Sequence, residues 1–327
     1  MKALVTGADG LLGSNLVRLL LERQIQVRAF ILPQSKSNTL EGLDIEKIQG
    51  DITQDIQALK KAAKGCDCAF HLAAVTNQWA PAEVTWKVNY DGTKNMIEAW
   101  MEQAAGRLIF TGSASSYAFG TIKNPGDETG SFPQQYKGIP YMESKHKAAN
   151  LVREYAKEKG LDAVIVAPTF MLGDYDFGPS SGELIRQYLK RGGKVATPGG
   201  RNFAHAKDVA EAMANALQKG RTGESYILGG ENLTYLDFFR KVTNAVGMDP
   251  PKIVIPAPLV LFGGALGSLF GRLSGKTPMV NLTIARLSLM GTYYSPEKAV
   301  KELEMPQTPV DSAIRDSIKS LKQYGHI

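Results

Sequence analysis

The chain has 327 residues, of which 43% are hydrophobic and 21% charged, and a formal net charge of +6. These are the proportions of a soluble globular protein with room for one large α/β domain or two lobes. Lysine and arginine are dispersed among the acids without long like-charge runs, which argues against a nucleic-acid partner and suits an anionic cofactor.

In chain order, KALVT (2–6) reads as a strand, and the glycine turn GADGLLG leads into a helix whose Leu12, Leu16, Leu19 and Leu20 recur at helical spacing. A second strand, 26–32, is followed by a turn-rich stretch and by IEKIQGD. A helix at 54–64 then leads to the strand CAFHLAA, and a helix at 89–105 leads to RLIFTGS. A Gly- and Pro-rich loop (118–140) precedes a helix at 141–159 and the strand DAVIVAP. This alternation predicts an α/β fold, a doubly wound parallel sheet of Rossmann type. After Pro168 the pattern loosens into helices at 181–191, 207–218, 234–246, 282–290, 296–303 and 310–323. The expected division is a dinucleotide-binding domain at 1–168 and a smaller, mostly helical substrate lobe at 169–327, with some elements returning to the main sheet.

Gly7, Gly10 and Gly13 stand between the first strand and the first helix. Gly7 permits the tight turn, Gly10 lets the backbone approach a pyrophosphate, and Gly13 lets the helix pack close on the strand. The helix start offers free N–H groups and a positive dipole, which makes Gly10, Leu11, Leu12 and Gly13 candidate cofactor contacts. Ligands of such sheets bind outside the carboxyl ends of the strands. That places Asp51 and Ile52 near an adenine, and Leu72, Ala73 and Ala74 beside the ribose and pyrophosphate. No acid follows the second strand until Glu41, whereas Lys36 is near enough for a 2′-phosphate, so NADP is favoured over NAD.

A tyrosine and a lysine four apart share a helix face. Four such pairs exist: Tyr90/Lys94, Tyr141/Lys145, Tyr155/Lys159 and Tyr294/Lys298. Tyr141 follows Pro140 and so opens its helix near the strand ends. Tyr155 lies about 21 Å further along the same helix and reads as packing. Gly92 interrupts the first pair and Pro296 the last. Strand RLIFTGS delivers Ser113 to the same edge, with Ser115 and Ser116 as competitors. Tyr141 is the candidate acid/base, lowered in pKa by the Lys145 ammonium and the nicotinamide cation. Ser113 holds the substrate oxygen, and Lys145 also binds the nicotinamide ribose.

TGADGLLG, the aspartate of GD (50–51), HLAA, VNYDGTKN, FTGSAS, YMESK and the proline of VAPTF together resemble the extended short-chain dehydrogenases/reductases, over nearly the whole chain. The resemblance implies catalytic roles for Ser113, Tyr141 and Lys145, and places Pro168 beside the nicotinamide amide. It makes His205 and Asp208 of FAHAKDVAEA structural or cleft-side residues. YILGGENLTYLDF and the apolar segment 255–271 are most similar to the branch of dihydroflavonol reductases and 3β-hydroxysteroid dehydrogenases. Two departures stand out: Gly112 where a second serine or threonine is common, and no arginine at the tip of the second strand.

The leading expectation is a reductase or dehydrogenase of a fairly apolar alcohol or ketone. Its cleft would be lined by Trp79, Trp86, Tyr117, Phe119 and Phe170. A nucleotide-sugar epimerase or dehydratase with retained NAD is the alternative, with Arg186, Lys190, Arg201 and Arg272 as candidate diphosphate cations. A non-enzymatic NADP-binding sensor is a third reading. Segment 255–271 is uncharged, yet interrupted by prolines and glycines. It reads as a buried or lid-forming helix, or as a contact with a membrane surface, rather than a span. Cys66 and Cys68 read as buried reduced thiols on one strand face, with no ligand set for a metal. The absence of a leader pattern leads to the expectation of a cytoplasmic protein, and the family resemblance to that of a homodimer through helices 89–105 and 141–159.

Overall fold

Successive residues of a strand point to opposite faces of its sheet. In β1 (Lys2–Thr6), Ala3 and Val5 enter the apolar core on one side, and Leu4 enters the core on the other. A strand buried on both faces belongs inside a parallel sheet covered by helices on both sides. The computed structural model has that sheet; it describes all residues except 78–79, 104–105, 179 and 275–280, with backbone alone at 273–274.

After β1 come α1 (Leu11–Glu22), β2 (Gln26–Ile31), β3 (Glu46–Gln49), α2 (Ile56–Ala63) and β4 (Cys68–His71). Next is a continuous helical run of changing pitch: α3 (Ala82–Trp86), a π-helical stretch at Lys87–Asp91, and α4 (Gly92–Gln103). β5 (Arg107–Thr111), α5 (Pro140–Lys159) and β6 (Ala163–Pro168) complete the first half. The second half contains β7 (Phe170–Leu172), α6 (Gly182–Lys190), β8 (Val195–Ala196), β9 (Gly200–His205), α7 (Ala206–Lys219), β10 (Ser225–Leu228), β11 (Glu231–Thr234) and α8 (Tyr235–Ala245). It ends with β12 (Ile253–Val254), α9 (Ala257–Ser274), α10 (Leu282–Leu289), β13 (Gly291–Thr292), α11 (Glu297–Leu303) and α12 (Val310–Gln323).

The seven-stranded sheet has the order β10-β6-β5-β4-β1-β2-β3, parallel throughout. α1, α7 and α11 cover one face, and α2, α4 and α5 the other. Because every strand points the same way, the turns after β1, β4, β5 and β6 emerge at one edge. The order switches direction between β1 and β4, which is where such sheets open a ligand crevice. A smaller sheet of β7, β9, β11 and β13 packs with α6, α8 and α12 around stacked aromatics. Phe203 lies on Phe238 at a 4.0 Å centroid distance, and Tyr188 lies on Phe239 at 3.6 Å.

Several local expectations need correcting. The second strand stops at Ile31 and the fourth at His71, so Leu72–Ala74 are extended chain beyond the ladder. The helix expected from 89 begins at Ala82, ahead of the π-helical stretch. Cys66 and Cys68 are buried free thiols, but they do not share a face: Cys66 precedes β4 and packs on the α2 side, while Cys68 packs on the α1 side. Segment 255–271 is not a buried helix; α9 leaves large apolar side chains in solvent. Among the described residues no helix is long and apolar enough to cross a membrane.

Candidate active site

The turn after β1 is shaped by what glycine lacks. Gly7 has φ +67°, and a Cβ there would stand 2.7 Å from the Ala73 nitrogen, against the chain leaving β4. A Cβ on Gly13 would stand 2.1 Å from the Gly7 carbonyl oxygen, so α1 starts in contact with the turn that precedes it. Gly10 differs: a Cβ there would meet only the Gly7 oxygen at 3.5 Å, so the space above it is open. Gly10 caps α1 without a side-chain hydrogen bond, and the first turn holds no acid. Uncapped N–H groups, the helix dipole and a bare approach suit a pyrophosphate. The residues present therefore fit a dinucleotide: the N–H groups of Leu11 and Leu12 would meet its phosphates, while the Gly10 N–H donates to the Gly7 carbonyl at 3.3 Å and closes the turn.

Beneath this turn lies a buried polar chain. The Thr93 hydroxyl donates to the Asn89 carbonyl at 2.7 Å. His71 Nε2, 3.1 Å from that hydroxyl, must therefore donate to it, and His71 Nδ1 accepts from the Thr6 hydroxyl at 2.7 Å. Thr6 Oγ1 in turn accepts the Ala73 N–H at 3.2 Å. The chain links the ends of β1 and β4 to α4 with its donors and acceptors paired. Burial, aided by the nearby Lys145 charge, pushes the His71 imidazole down to about 3, so it is neutral at any working pH.

Tyr141 sits in the first turn of α5, after Pro140 at the helix start. Ser113, just past the end of β5, lies near enough to the Tyr141 hydroxyl to favour its ionised form. Ser113 is also the cap of the short helix 114–116, accepting the Ser115 N–H at 3.3 Å, and its hydroxyl lies 2.8 Å from that of Ser115. Lys145, one turn further along α5, is 3% exposed. Its ammonium donates to the Thr111 carbonyl and stands 4.8 Å from the centre of the Phe110 ring. Burial pushes that ammonium down to about 7.

The expected lowering of Tyr141 by Lys145 is not what this state contains. Burial holds the phenol above its ordinary range, and the nearby Ser113 hydroxyl opposes that only in part. The Lys145 charge instead acts on His71. In this structure the Lys145 ammonium is turned toward the Thr111 carbonyl, at the floor of the site.

Asn89 is a site residue that the sequence reading did not single out. Its amide brackets Val75, accepting the N–H at 2.8 Å and donating to the carbonyl at 3.1 Å. It also donates to the Ser144 hydroxyl at 3.1 Å, which itself donates to the Tyr141 carbonyl at 3.0 Å. Asn89 thus ties the chain leaving β4 to the turn that carries Tyr141. The signal available in the sequence was its place in VNYDGTKN; in the structure it falls in a π-helical stretch, a kind of bulge that gathers at functional sites.

The other candidates separate cleanly. Tyr155 is buried with its hydroxyl donating to Glu98 at 3.0 Å, and the Lys159 ammonium lies 3.8 Å above its ring, as a packing pair. Tyr294 is also buried, and its hydroxyl donates to the Tyr117 carbonyl at 3.3 Å. Asp51 serves its own turn, accepting the Thr53 N–H at 2.8 Å. Ile52 is buried against Gly92, and Pro168 ends β6 opposite Leu228. Lys36 is exposed and lines a recess with Asp9, Ser35, Ser37 and Thr39. His205 pairs with Asp316 at 3.2 Å, and Asp208 accepts from Thr308, so that segment fastens the C-terminal helix and its approach. Tyr117 is core rather than cleft lining: it is buried, with Arg153 donating to its hydroxyl at 2.6 Å. Trp86, Phe119 and Phe170 are half-buried, and Trp79 lies outside the described residues.

The comparisons with known proteins bear on the family and the fold. The family model described as the NAD dependent epimerase/dehydratase family matches residues 3–229. The chain is 30% identical to a putative dihydroflavonol 4-reductase of Synechocystis sp., over 99% of this chain and 95% of the relative. It is 30% identical to sterol demethylase protein B of Methylococcus capsulatus, over 100% of each. The solved structure of gox2253 superposes with a TM-score of 0.87 at 33% identity, covering 99% of both chains. A uncapped glycine turn, a Tyr-Lys helix beside a strand-end serine, and end-to-end likeness to a reductase converge: the chain belongs to the NAD-dependent epimerase/dehydratase family, the extended short-chain dehydrogenases/reductases, and is a nicotinamide-dependent oxidoreductase.

Proposed function

We propose that the protein reduces or oxidises a fairly apolar small molecule at a secondary alcohol or ketone. The observation that carries this is the placement of Ser113, at the end of β5, beside Tyr141 in the first turn of α5, at the carboxyl edge next to the open glycine turn. Bound nicotinamide supplies or takes the hydride. Tyr141 gives its phenolic proton to the ketone oxygen as that oxygen gains negative charge, and takes the proton back in the reverse direction. Ser113 orients the oxygen by donating a hydrogen bond to it. Lys145, the cation one turn along α5, supports the phenolate and the nicotinamide ribose. The cofactor contacts are proposed at Gly7, Gly10, Leu11, Leu12 and Gly13, at Asp51 and Ile52, at Leu72, Ala73 and Ala74, and at Pro168. Residues 1–168 form the dinucleotide domain and 169–327 the substrate lobe. Relatives named for a dihydroflavonol and a sterol support an apolar, fused-ring class of substrate.

NADP is the proposed cofactor. Lys36, Ser35, Ser37 and Thr39 line the recess beyond β2, and no acid follows in the chain until Glu41. Asp9 opposes this choice, because its carboxylate shares the recess and accepts from the Ser35 hydroxyl. The test is to denature purified protein and identify any released nucleotide, then to compare NADPH with NADH using apolar ketones. The expected result is a largely empty protein and a higher kcat/KM with NADPH. Preference for NADH would mean that Asp9 governs the recess.

Near-stoichiometric retained NAD would instead support the epimerase or dehydratase reading. One observation favours that second reading. Arg201 on β9 has no carboxylate partner among the described residues; it donates to the Tyr235 hydroxyl at 2.7 Å and lies 5.0 Å from the centre of the Phe170 ring. Arg186, by contrast, is already held by Glu183 at 2.6 Å. We also take the protein to be a cytoplasmic homodimer joined through α4 and α5. Light scattering should then give twice the chain mass, and a monomer would remove that part of the reading.

A further inference from the structure

α9 is two-sided. One side packs on α10: a Cβ added to Gly264 would stand 2.5 Å from the Ala285 Cβ, and the Ser268 hydroxyl accepts the Leu282 N–H at 2.9 Å. The other side carries Leu259, Phe262, Leu266 and Leu269, which recur at helical spacing on one stripe. These side chains are 60%, 63%, 51% and 54% exposed. The strand pair just ahead of the helix adds exposed apolar side chains: Ile253 lies opposite Val195, and these are 60% and 40% exposed. Large apolar side chains gathered on one face mark an interaction surface, whereas single exposed ones do not.

Its charges indicate the partner. No aspartate or glutamate occurs between Asp249 and Glu297, and none occurs between Glu183 and Asp208. The same two stretches hold Lys190, Lys194, Lys252, Arg272 and Arg286, all exposed and without an ion pair among the described residues. An apolar ridge set in acid-free, basic stretches of chain complements a surface that is apolar below and anionic above. A second copy docking on the same ridge would bring like charges together.

We propose that the α9 ridge docks on anionic phospholipid membranes, with the Leu259–Leu269 stripe entering the acyl boundary and the flanking lysines and arginines meeting the headgroups. The proposal does not depend on the catalytic reading. Where both hold, the enzyme meets its poorly water-soluble substrate at the bilayer surface.

The test is flotation of the full-length protein with vesicles of phosphatidylcholine alone, or of phosphatidylcholine and phosphatidylglycerol in equal parts. The expected result is binding to the mixed vesicles, weak binding to the neutral ones, and release as salt rises. The double variant F262D/L266D should lower the partition coefficient at least about tenfold, while thermal stability and turnover of a water-soluble ketone are unchanged. The variant K252E/R272E should lose the preference for phosphatidylglycerol. Vesicle binding that survives F262D/L266D overturns the proposal, and so does absence of binding to either vesicle. A wild-type dimer that F262D/L266D splits, without vesicle binding, would assign the ridge to self-association.

Discussion

Replacing Tyr141 with phenylalanine should lower kcat by roughly a hundred- to ten-thousandfold, the range over which a positioned proton donor contributes. The fold and the dinucleotide site should survive, because the ring stays and only the hydroxyl leaves. The neighbouring Ser113 hydroxyl has its own partner in Ser115, so the deletion strands no buried donor. The Asn89–Ser144 connection reaches Tyr141 through its carbonyl and is indifferent to the side chain. Nucleotide affinity, read by fluorescence of bound NADPH, should stay within a few-fold of wild type. The split between lost kcat and retained binding identifies an interaction made in the transition state. Turnover that survives the substitution would remove Tyr141 from the chemistry and return the search to Ser113 and its neighbours.

The parts of the site that were legible beforehand are those in which a residue type has one physical use. Gly7 and Gly13 could be assigned from spacing because a Cβ at either meets backbone, and backbone cannot move aside. Tyr141 could be chosen over Tyr155 from helix rise alone, since a rigid helix fixes which of its ends meets the strand edge. Features that depend on where a neighbour's atoms finally point were not legible. Whether Lys145 would face the Tyr141 phenol or the Thr111 carbonyl is a rotamer outcome, and it reversed the expected electrostatics. Cys66 and Cys68 shared a face only if the strand already included residue 66, and β4 starts two residues later. Asn89 looked like any polar residue on a helix until Val75 and Ser144 arrived on either side of it. The hydropathy of 255–271 showed that its surface was apolar. It could not show that α10 would cover one side only, through Gly264, and leave Leu259, Phe262, Leu266 and Leu269 outside.

Replacing Lys145 with methionine should stabilise the protein at pH 6 while it impairs catalysis. Methionine matches the lysine stem in length and volume, so the pocket stays filled. What changes is the charge. An ammonium that titrates at about 7 in the folded chain and at its ordinary 10.5 in the unfolded one is more costly to hold protonated when folded. That gap caps the cost at about 5 kcal/mol. Its donated bond to the Thr111 carbonyl is lost in the variant, which returns about 2 to 3 kcal/mol and leaves a net gain of about 2. In a chain of this length that gain is roughly 3 °C in Tm. The sign with pH follows from the depressed value. Below about pH 7 lysine is protonated in both states and the full cost is present. Above pH 7 the folded site is neutral, and the cost shrinks until it vanishes near 10.5. The advantage of the variant should therefore be largest at pH 6 and gone by about pH 9. Equal melting temperatures at pH 6 would mean that solvent reaches Lys145 and relieves its burial. An advantage that persists unchanged to pH 9 would trace to packing, with the charge playing no part. Turnover should fall in the same variant at every pH, since methionine offers the ribose no donor, and the fall should be deepest below about pH 7, where the wild-type ammonium also carries a charge beside the phenolate. A residue that weakens the fold and is needed for the reaction is the expected signature of a functional lysine buried at the base of its site.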